Sequence, residues 1–148
     1  MINLIDYKDL IYNIIGAAMR VHSELGFGLL EPLYNECLQI ELADDGIVAE
    51  SERDLPCFYK GRKLKKSYRM DMVVCDNICI EFKSVEKILP EHRLQLFNYL
   101  RLTQKPIGMI INFGNRKLQG ERYYYNADTN ECTLLNKDMS PIYNNIDL

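Results

Sequence analysis

Apolar residues recur at helical spacing from about Tyr7 to Leu25, at Leu10, Ile14, Ala18, Val21 and Leu25, the stripe of an amphipathic helix. Gly26-Phe27-Gly28 ends that period and reads as a turn. A second helix is expected to begin near Glu31-Pro32, since proline suits the first helical turn, and to carry Leu33, Cys37, Leu38 and Leu42. Gly46 is placed to stop it. From Ile47 the helical period disappears. Ile47 to Arg53, Leu55 to Tyr59 and Leu64 to Val74 read as strands, with Lys60-Gly61-Arg62 as a turn.

Beyond Pro90 a helix is expected from Glu91 to about Thr103. Ile107 to Phe113 is almost wholly apolar, the mark of a strand buried on both faces. Tyr123-Tyr124-Tyr125 reads as an edge strand, and the polar tail from Asn126 carries one short strand at Cys132 to Leu135. Helix, helix, antiparallel strands, helix, strand is the order of a mixed sheet flanked by helices, of α/β or α+β class. The helix between the hairpin ending at Lys83 and the Ile107 strand implies a right-handed crossover between parallel strands.

One hairpin breaks the simple pattern. Met70 to Lys83 reads MDMVVCDNICIEFK, two apolar runs with a carboxylate in each. A two-residue turn at Asp76-Asn77 would mix charged and large apolar groups on both sheet faces. A three-residue loop of Cys75-Asp76-Asn77 pairs Val74 with Ile78, Met72 with Ile80, and Asp71 with Glu81. Met70, Met72, Val74, Ile78, Ile80 and Phe82 then share an apolar face, while Arg69, Asp71, Val73, Cys79, Glu81 and Lys83 share the other. Opposed residues place their Cβ atoms roughly 5 Å apart, so Asp71 and Glu81 could grip one cation beside the Lys83 amine. The same spacing also suits a solvated, charged sheet face with the repulsion relieved by Arg69 and Lys83.

The chain has 148 residues, a formal net charge of −3 and 26% charged residues. That length fits one domain over 1–148, with a core of about 8–125 and an extension over 126–148. An acidic chain has no global attraction for polyanions, and Lys60 to Arg69 is its one strongly basic segment. That segment suits either a nucleic-acid backbone or a solvated hairpin tip. The five cysteines lack zinc or disulfide spacing and read as reduced thiols. No apolar run is long enough for a membrane span, the first residues lack a signal-peptide pattern, and a cytoplasmic protein is expected.

Asp71 followed by Glu81-Phe82-Lys83 resembles the D…(E/D)xK signature of the PD-(D/E)XK nuclease superfamily. Gln95-Leu-Phe-Asn-Tyr99 resembles the QxxxY motif of its RecB-like branch, with both side chains on one helix face. Gly28 to Tyr34, GLLEPLY, is similar to the motif that names the GxxExxY protein family, and Val21-His22, Tyr68 to Asp71 and Ile111 to Gly114 fit its wider pattern. Phe27 departs from a proline common in that glycine loop, and Pro32 sets Glu31 at the helix N-cap.

The resemblance covers about Ile11 to Tyr125. It implies a restriction-endonuclease-like αβββαβ core and a nuclease using Mg²⁺ or Mn²⁺, with DNA the expected substrate. The alternative is a non-catalytic nucleic-acid-binding or regulatory module, and a homodimer is compatible with either. On this resemblance Asp71 and Glu81 are metal ligands, with the Phe82 carbonyl a possible third, and Glu31 completes the site. Lys83 orients or deprotonates the attacking water, while Gln95 and Tyr99 contact phosphate or the carboxylates. His22 is either a ligand or, as commonly in helix packing, a hydrogen-bonded structural histidine, and Tyr34 packs beside the site.

Overall fold

The computed structural model describes residues 3–142; the end of the extension, 143–148, lies outside the described residues. Helix α1 spans Lys8–Leu25, after a short 3₁₀ turn at Leu4–Tyr7, and α2 spans Glu31–Asp44. Strands β1 (Ala49–Tyr59), β2 (Arg62–Val74) and β3 (Ile78–Lys83) follow, then α3 (Pro90–Thr103). Strands β4 (Ile107–Asn112), β5 (Gln119–Asn126) and β6 (Glu131–Leu134) end the order.

The six strands form one sheet in sequence order, β1 to β6. Its neighbours are antiparallel except β3 and β4, which run parallel across the α3 connection. This is the mixed sheet with flanking helices that the element order implied. Two expectations fail. The break placed between Arg53 and Leu55 does not exist, because Asp54 pairs with Arg69 inside one continuous β1. Nor is the Tyr123 segment an edge: β5 lies between β4 and β6, and the tail's own strand takes the outer position.

Each face of the sheet has its own core. On one, Ile11, Ile14 and Val21 of α1 and Leu38 and Leu42 of α2 pack on Met72, Val74, Ile78, Ile80 and Phe82. Leu135 and Met139, from the tail, join this cluster. On the other face, Leu96, Phe97 and Leu100 of α3 pack on Val73, Cys79, Ile110 and Tyr123. A Cβ on Gly108 would stand 2.7 Å from a Leu100 methyl carbon, so this residue lets α3 settle close to β4. Arg93 pins the same helix to β5 through two 2.8 Å bonds to the Glu121 carboxylate.

Burial on both faces explains the runs of apolar residues in β3 and β4, every one of which from Ile107 to Asn112 is buried. The turns of the β1–β2 and β2–β3 hairpins use left-handed backbone. Lys60 and Gly61 (φ 50° and 75°) make a two-residue turn, and Cys75 and Asp76 (φ 48° and 61°) open the three-residue loop. No helix among the described residues is long and apolar enough to cross a membrane.

Candidate active site

The loop register is the expected one: Val74 faces Ile78, Val73 faces Cys79 and Met72 faces Ile80. Beyond Met72 the regular ladder stops, and side chains replace it. The Phe82 N–H donates to Asp71 Oδ2 at 2.9 Å, and the Asp71 N–H reaches Glu81 Oε1 at 3.4 Å. On the far side, Asn35 Nδ2 of α2 donates to the Asp71 carbonyl at 3.1 Å. Glu52, the residue that would face Asp71 across β1, has φ 52° and drops out of the pairing.

This irregularity also moves Met70. Strict alternation would place it with Met72, but Met70 packs in the α3-side core with Val73. The expectation that Met70 belongs to the same apolar face as Met72 is therefore corrected. The local break at Asp71 switches the outward and inward sides of β2. It frees the Asp71 backbone and carboxylate from an ordinary strand geometry and hands their positioning to Asn35 and Phe82.

The second face of the hairpin is not solvated. Glu81 is only 2% exposed, under α3. Its carboxyl is pushed up to about 9, first by burial and then by the neighbouring Asp71 charge. A buried acid held against a second carboxylate carries a large electrostatic penalty when ionised, and a bound cation relieves it. Asp71 Oδ2 and Glu81 Oε1 are occupied by backbone N–H groups, which leaves Asp71 Oδ1 and Glu81 Oε2 as hard oxygen donors. This donor chemistry fits Mg²⁺ or Mn²⁺, which take few carboxylates and retain several waters.

Lys83 follows on the same strand, half-buried, and its ammonium donates to Gln95 Oε1 at 3.1 Å. Gln95 Nε2 in turn donates to the Tyr99 hydroxyl at 3.1 Å. Tyr99 is buried, and its phenol is raised first by that burial, with the Glu81 and Asp71 charges adding to the effect. The i, i+4 pair on α3 thus forms a polar ladder from Lys83 toward the carboxylates.

Glu31 is the first residue of α2. Leu30, not Glu31, is the N-cap of α2, and Pro32 fixes the first turn. Glu31 is half-buried, and its charge acts on His92, at the start of α3, whose own pKa is lowered mainly by burial and by Lys83. Among the described residues, no three His, Cys, Asp or Glu side chains converge to hold one ion.

His22 Nε2 lies 2.7 Å from the Asn115 carbonyl, in the packing of α1 against the loop after β4. Tyr34 is wholly buried and stacks on Phe113 at 4.3 Å between ring centroids. Its hydroxyl donates to the Gly26 carbonyl and accepts from the Leu29 N–H, so it staples the glycine turn that leads into α2. The tyrosine of the GLLEPLY stretch is thus structural.

Two positioning residues escaped the sequence reading. Asn35 holds Asp71, and its own Oδ1 accepts from Ser51 Oγ and Gln39 Nε2. Asn112, wholly buried beside Lys83 in the parallel ladder, fixes the loop after β3 by bonding both the N–H and the carbonyl of Val85. A polar amide inside the run Ile110-Ile111-Asn112-Phe113 was the available signal for the second. Asn35, one polar residue among several in α2, gave none.

A mixed sheet whose central hairpin carries opposed carboxylates and a following lysine, backed by a crossover helix, is the restriction-endonuclease-like nuclease architecture. The family model described as PD-(D/E)XK nuclease superfamily matches residues 8–123, and the chain belongs to that superfamily. Its nucleases typically use divalent metals, and membership implies a nucleic-acid substrate. No curated protein matches the chain. Among solved structures, "Crystal structure of SSO0001" is similar at 20% identity and a TM-score of 0.49, over 86% of this chain. The chain spans 65% of that structure's length.

Proposed function

We propose that the protein is a divalent-metal-dependent nuclease that hydrolyses phosphodiester bonds, with DNA as its substrate. The observation that carries this reading is the buried Glu81 carboxyl against Asp71, with Lys83 held next to it by Gln95. A stable core has little use for a buried acid held against a second, half-buried one, whereas a cation-binding centre uses such a pair.

Asp71 and Glu81 would hold Mg²⁺ or Mn²⁺, which when bound supplies charge neutralisation at the phosphoryl group and acidifies water. Lys83 orients the attacking water and offsets charge developing on the phosphate. Its role is electrostatic positioning, with the ammonium held on Gln95 Oε1. Gln95 fixes the direction of that ammonium, and Tyr99 holds Gln95. Glu31, at the first turn of α2, acts on the site through water. The QxxxY spacing of Gln95 and Tyr99 and the GLLEPLY stretch support assignment to the RecB-like branch and the GxxExxY family.

The competing reading is a non-catalytic nucleic-acid-binding or regulatory module that keeps the fold, which the acidic net charge of −3 favours. Mg²⁺ and Mn²⁺ titrations of the wild type and Asp71→Ala, paired with cleavage of single- and double-stranded DNA and RNA and EDTA controls, separate the two. Metal binding lost in Asp71→Ala together with metal-dependent cleavage by the wild type supports the enzyme. Metal binding with no cleavage of any substrate would support the module, and unchanged metal binding by Asp71→Ala would remove the site assignment.

A further inference from the structure

The outer halves of β1 and β2 form a hairpin arm that the two cores do not cover. Every residue from Phe58 to Arg69 is exposed, while the ladder continues through Phe58–Lys63 and Tyr59–Arg62. Lys60, Arg62, Lys63, Lys65, Lys66 and Arg69 lie here, out of 18 Lys and Arg in the chain, and none of its 21 Asp and Glu does. Among the described residues only Arg69 of these six is in an ion pair, with Asp54 at 3.1 Å and Glu52 at 3.9 Å. An acidic protein has gathered unpaired positive charge on one protruding element.

Three aromatic side chains stand out on the same arm. Phe58 is 63% exposed, Tyr59 64% and Tyr68 55%, and the Lys60 ammonium lies 5.5 Å over the Tyr59 ring. Tyr68 also connects the arm to the site. It lies three residues before Asp71, its ring centroid is 5.7 Å from that of Tyr99, and it lines a cleft of about 420 Å³ with Gln95 and Asn98.

We propose that this arm grips a single-stranded segment of nucleic acid and leads it to the Asp71–Glu81 pair. The lysines and Arg62 lie against phosphates, while the exposed rings offer stacking faces to unpaired bases. Stacking platforms interleaved with cations suit single strands, because paired bases in a duplex have no free face. At a rise of about 3.3 Å per strand residue, Arg62 lies about 30 Å from Asp71, so a bound strand extends several nucleotides from the site. The inference deepens the nuclease reading, on which its substrate class rests, by assigning the element that recognises the strand.

The test is fluorescence anisotropy in EDTA, where no cleavage occurs, with labelled 20-nucleotide DNA and RNA, single-stranded and duplex. Wild type is expected to bind single strands at least tenfold more tightly than duplex. Lys63→Gln/Lys65→Gln/Lys66→Gln should lose at least tenfold in affinity. It should also flatten the slope of log affinity against log salt by about 2, at about 0.7 for each phosphate that a removed lysine had neutralised. Tyr68→Ala should lose affinity for single strands and little for duplex. A melting temperature equal to wild type certifies the triple variant; if it falls, Lys65→Glu and Lys65→Arg at one exposed position replace it, the arginine retaining binding.

Affinity and salt slope unchanged in the lysine variants, or duplex bound more tightly than single strands, would overturn the proposal. Arm-dependent binding without cleavage under any metal leaves the arm assignment standing and defeats the nuclease reading. Cleavage that proceeds with arm-independent binding does the reverse. DNA and RNA, which share phosphates and stackable bases, are told apart by the paired probes.

Discussion

The Lys83 ammonium points at Gln95 Oε1, 3.1 Å away, and so a helix on the far side of a crossover fixes the direction of the charge beside the carboxylate pair. Gln95 is itself held from behind by Tyr99. A long lysine side chain has several rotamers, and the contact with Gln95 Oε1 selects among them.

Gln95→Ala should therefore lower the cleavage rate without unfolding the protein. Gln95 is on the exposed side of α3, so its loss leaves no core cavity. Freed from its acceptor, Lys83 samples unproductive rotamers, and a fall of about 10- to 100-fold in single-turnover rate is expected. KM should move little. A rate unchanged from wild type in a chemistry-limited assay would show that Gln95 does not position Lys83.

Asn35→Ala tests the other support. The substitution strips the Asp71 carbonyl of its donor and Ser51 Oγ and Gln39 Nε2 of an acceptor, in a residue only 8% exposed. Unpaired buried polar groups of this kind cost about 1–3 kcal/mol each. Loss of a residue that orients a metal ligand typically weakens metal binding about 10- to 100-fold. Denaturant unfolding and an Mg²⁺ titration read the two effects separately. Asn35→Leu, which restores volume but not the bond, should recover part of the stability and none of the affinity.

Why Asn35 was invisible in the sequence, while Asp71 and Glu81 were not, follows from the kind of signal each gives. The carboxylates interrupt apolar runs, and a three-residue loop was the one register that separated the hairpin faces; the Val74–Ile78 pairing follows it. Asn35 makes its contact across 36 positions, and no local period encodes such a bond. Met70 was misplaced for a related reason. Alternation assumes a regular strand, and the ladder here breaks at Asp71 because side chains from α2 and β3 take over its hydrogen bonds. The tail's short strand was legible at Cys132 to Leu135, but its partner was not, and its pairing of Tyr123 with Leu134 makes β5 an interior strand.

The metal-free protein should lose stability as pH rises. The Glu81 carboxyl is raised from 4.5 to about 9 by burial and by Asp71, so between those values the folded chain keeps a proton that the unfolded chain has released. The folded state binds more protons there, and the unfolding free energy falls with increasing pH. The contribution is fully present below about 4.5 and is gone above about 9. Thermal melts in EDTA at pH 5, 7 and 9 should show this decline, and Glu81→Gln should flatten it. The variant should also gain on the order of 1–2 kcal/mol at pH 8, the direction expected when a functional charge is removed from a core. Equal pH slopes for wild type and variant would show that Glu81 is not the group responsible.

Lys83→Ala should abolish measurable cleavage while leaving fold and metal binding intact. The residue stands at the end of β3, half-buried, where its methylenes contribute little to either core and its backbone still bonds the Phe113 N–H at 2.8 Å. Truncation therefore removes the ammonium without opening a cavity. Deleting a positioned acid–base or electrostatic group costs about 10²–10⁴-fold in rate, well above assay noise. Mg²⁺ affinity should hold or rise, because a positive charge that competes with the cation for Asp71 and Glu81 has gone. That sign separates Lys83 from the ligands, whose substitution to alanine lowers rate and affinity together. Lys83→Arg keeps the charge but replaces a compact ammonium with a planar fork, and partial activity is expected of it. Measured side by side with calorimetric Mg²⁺ titrations and single-turnover cleavage, Lys83→Ala that loses affinity as well as rate would mean that the lysine supports the metal site instead of the water.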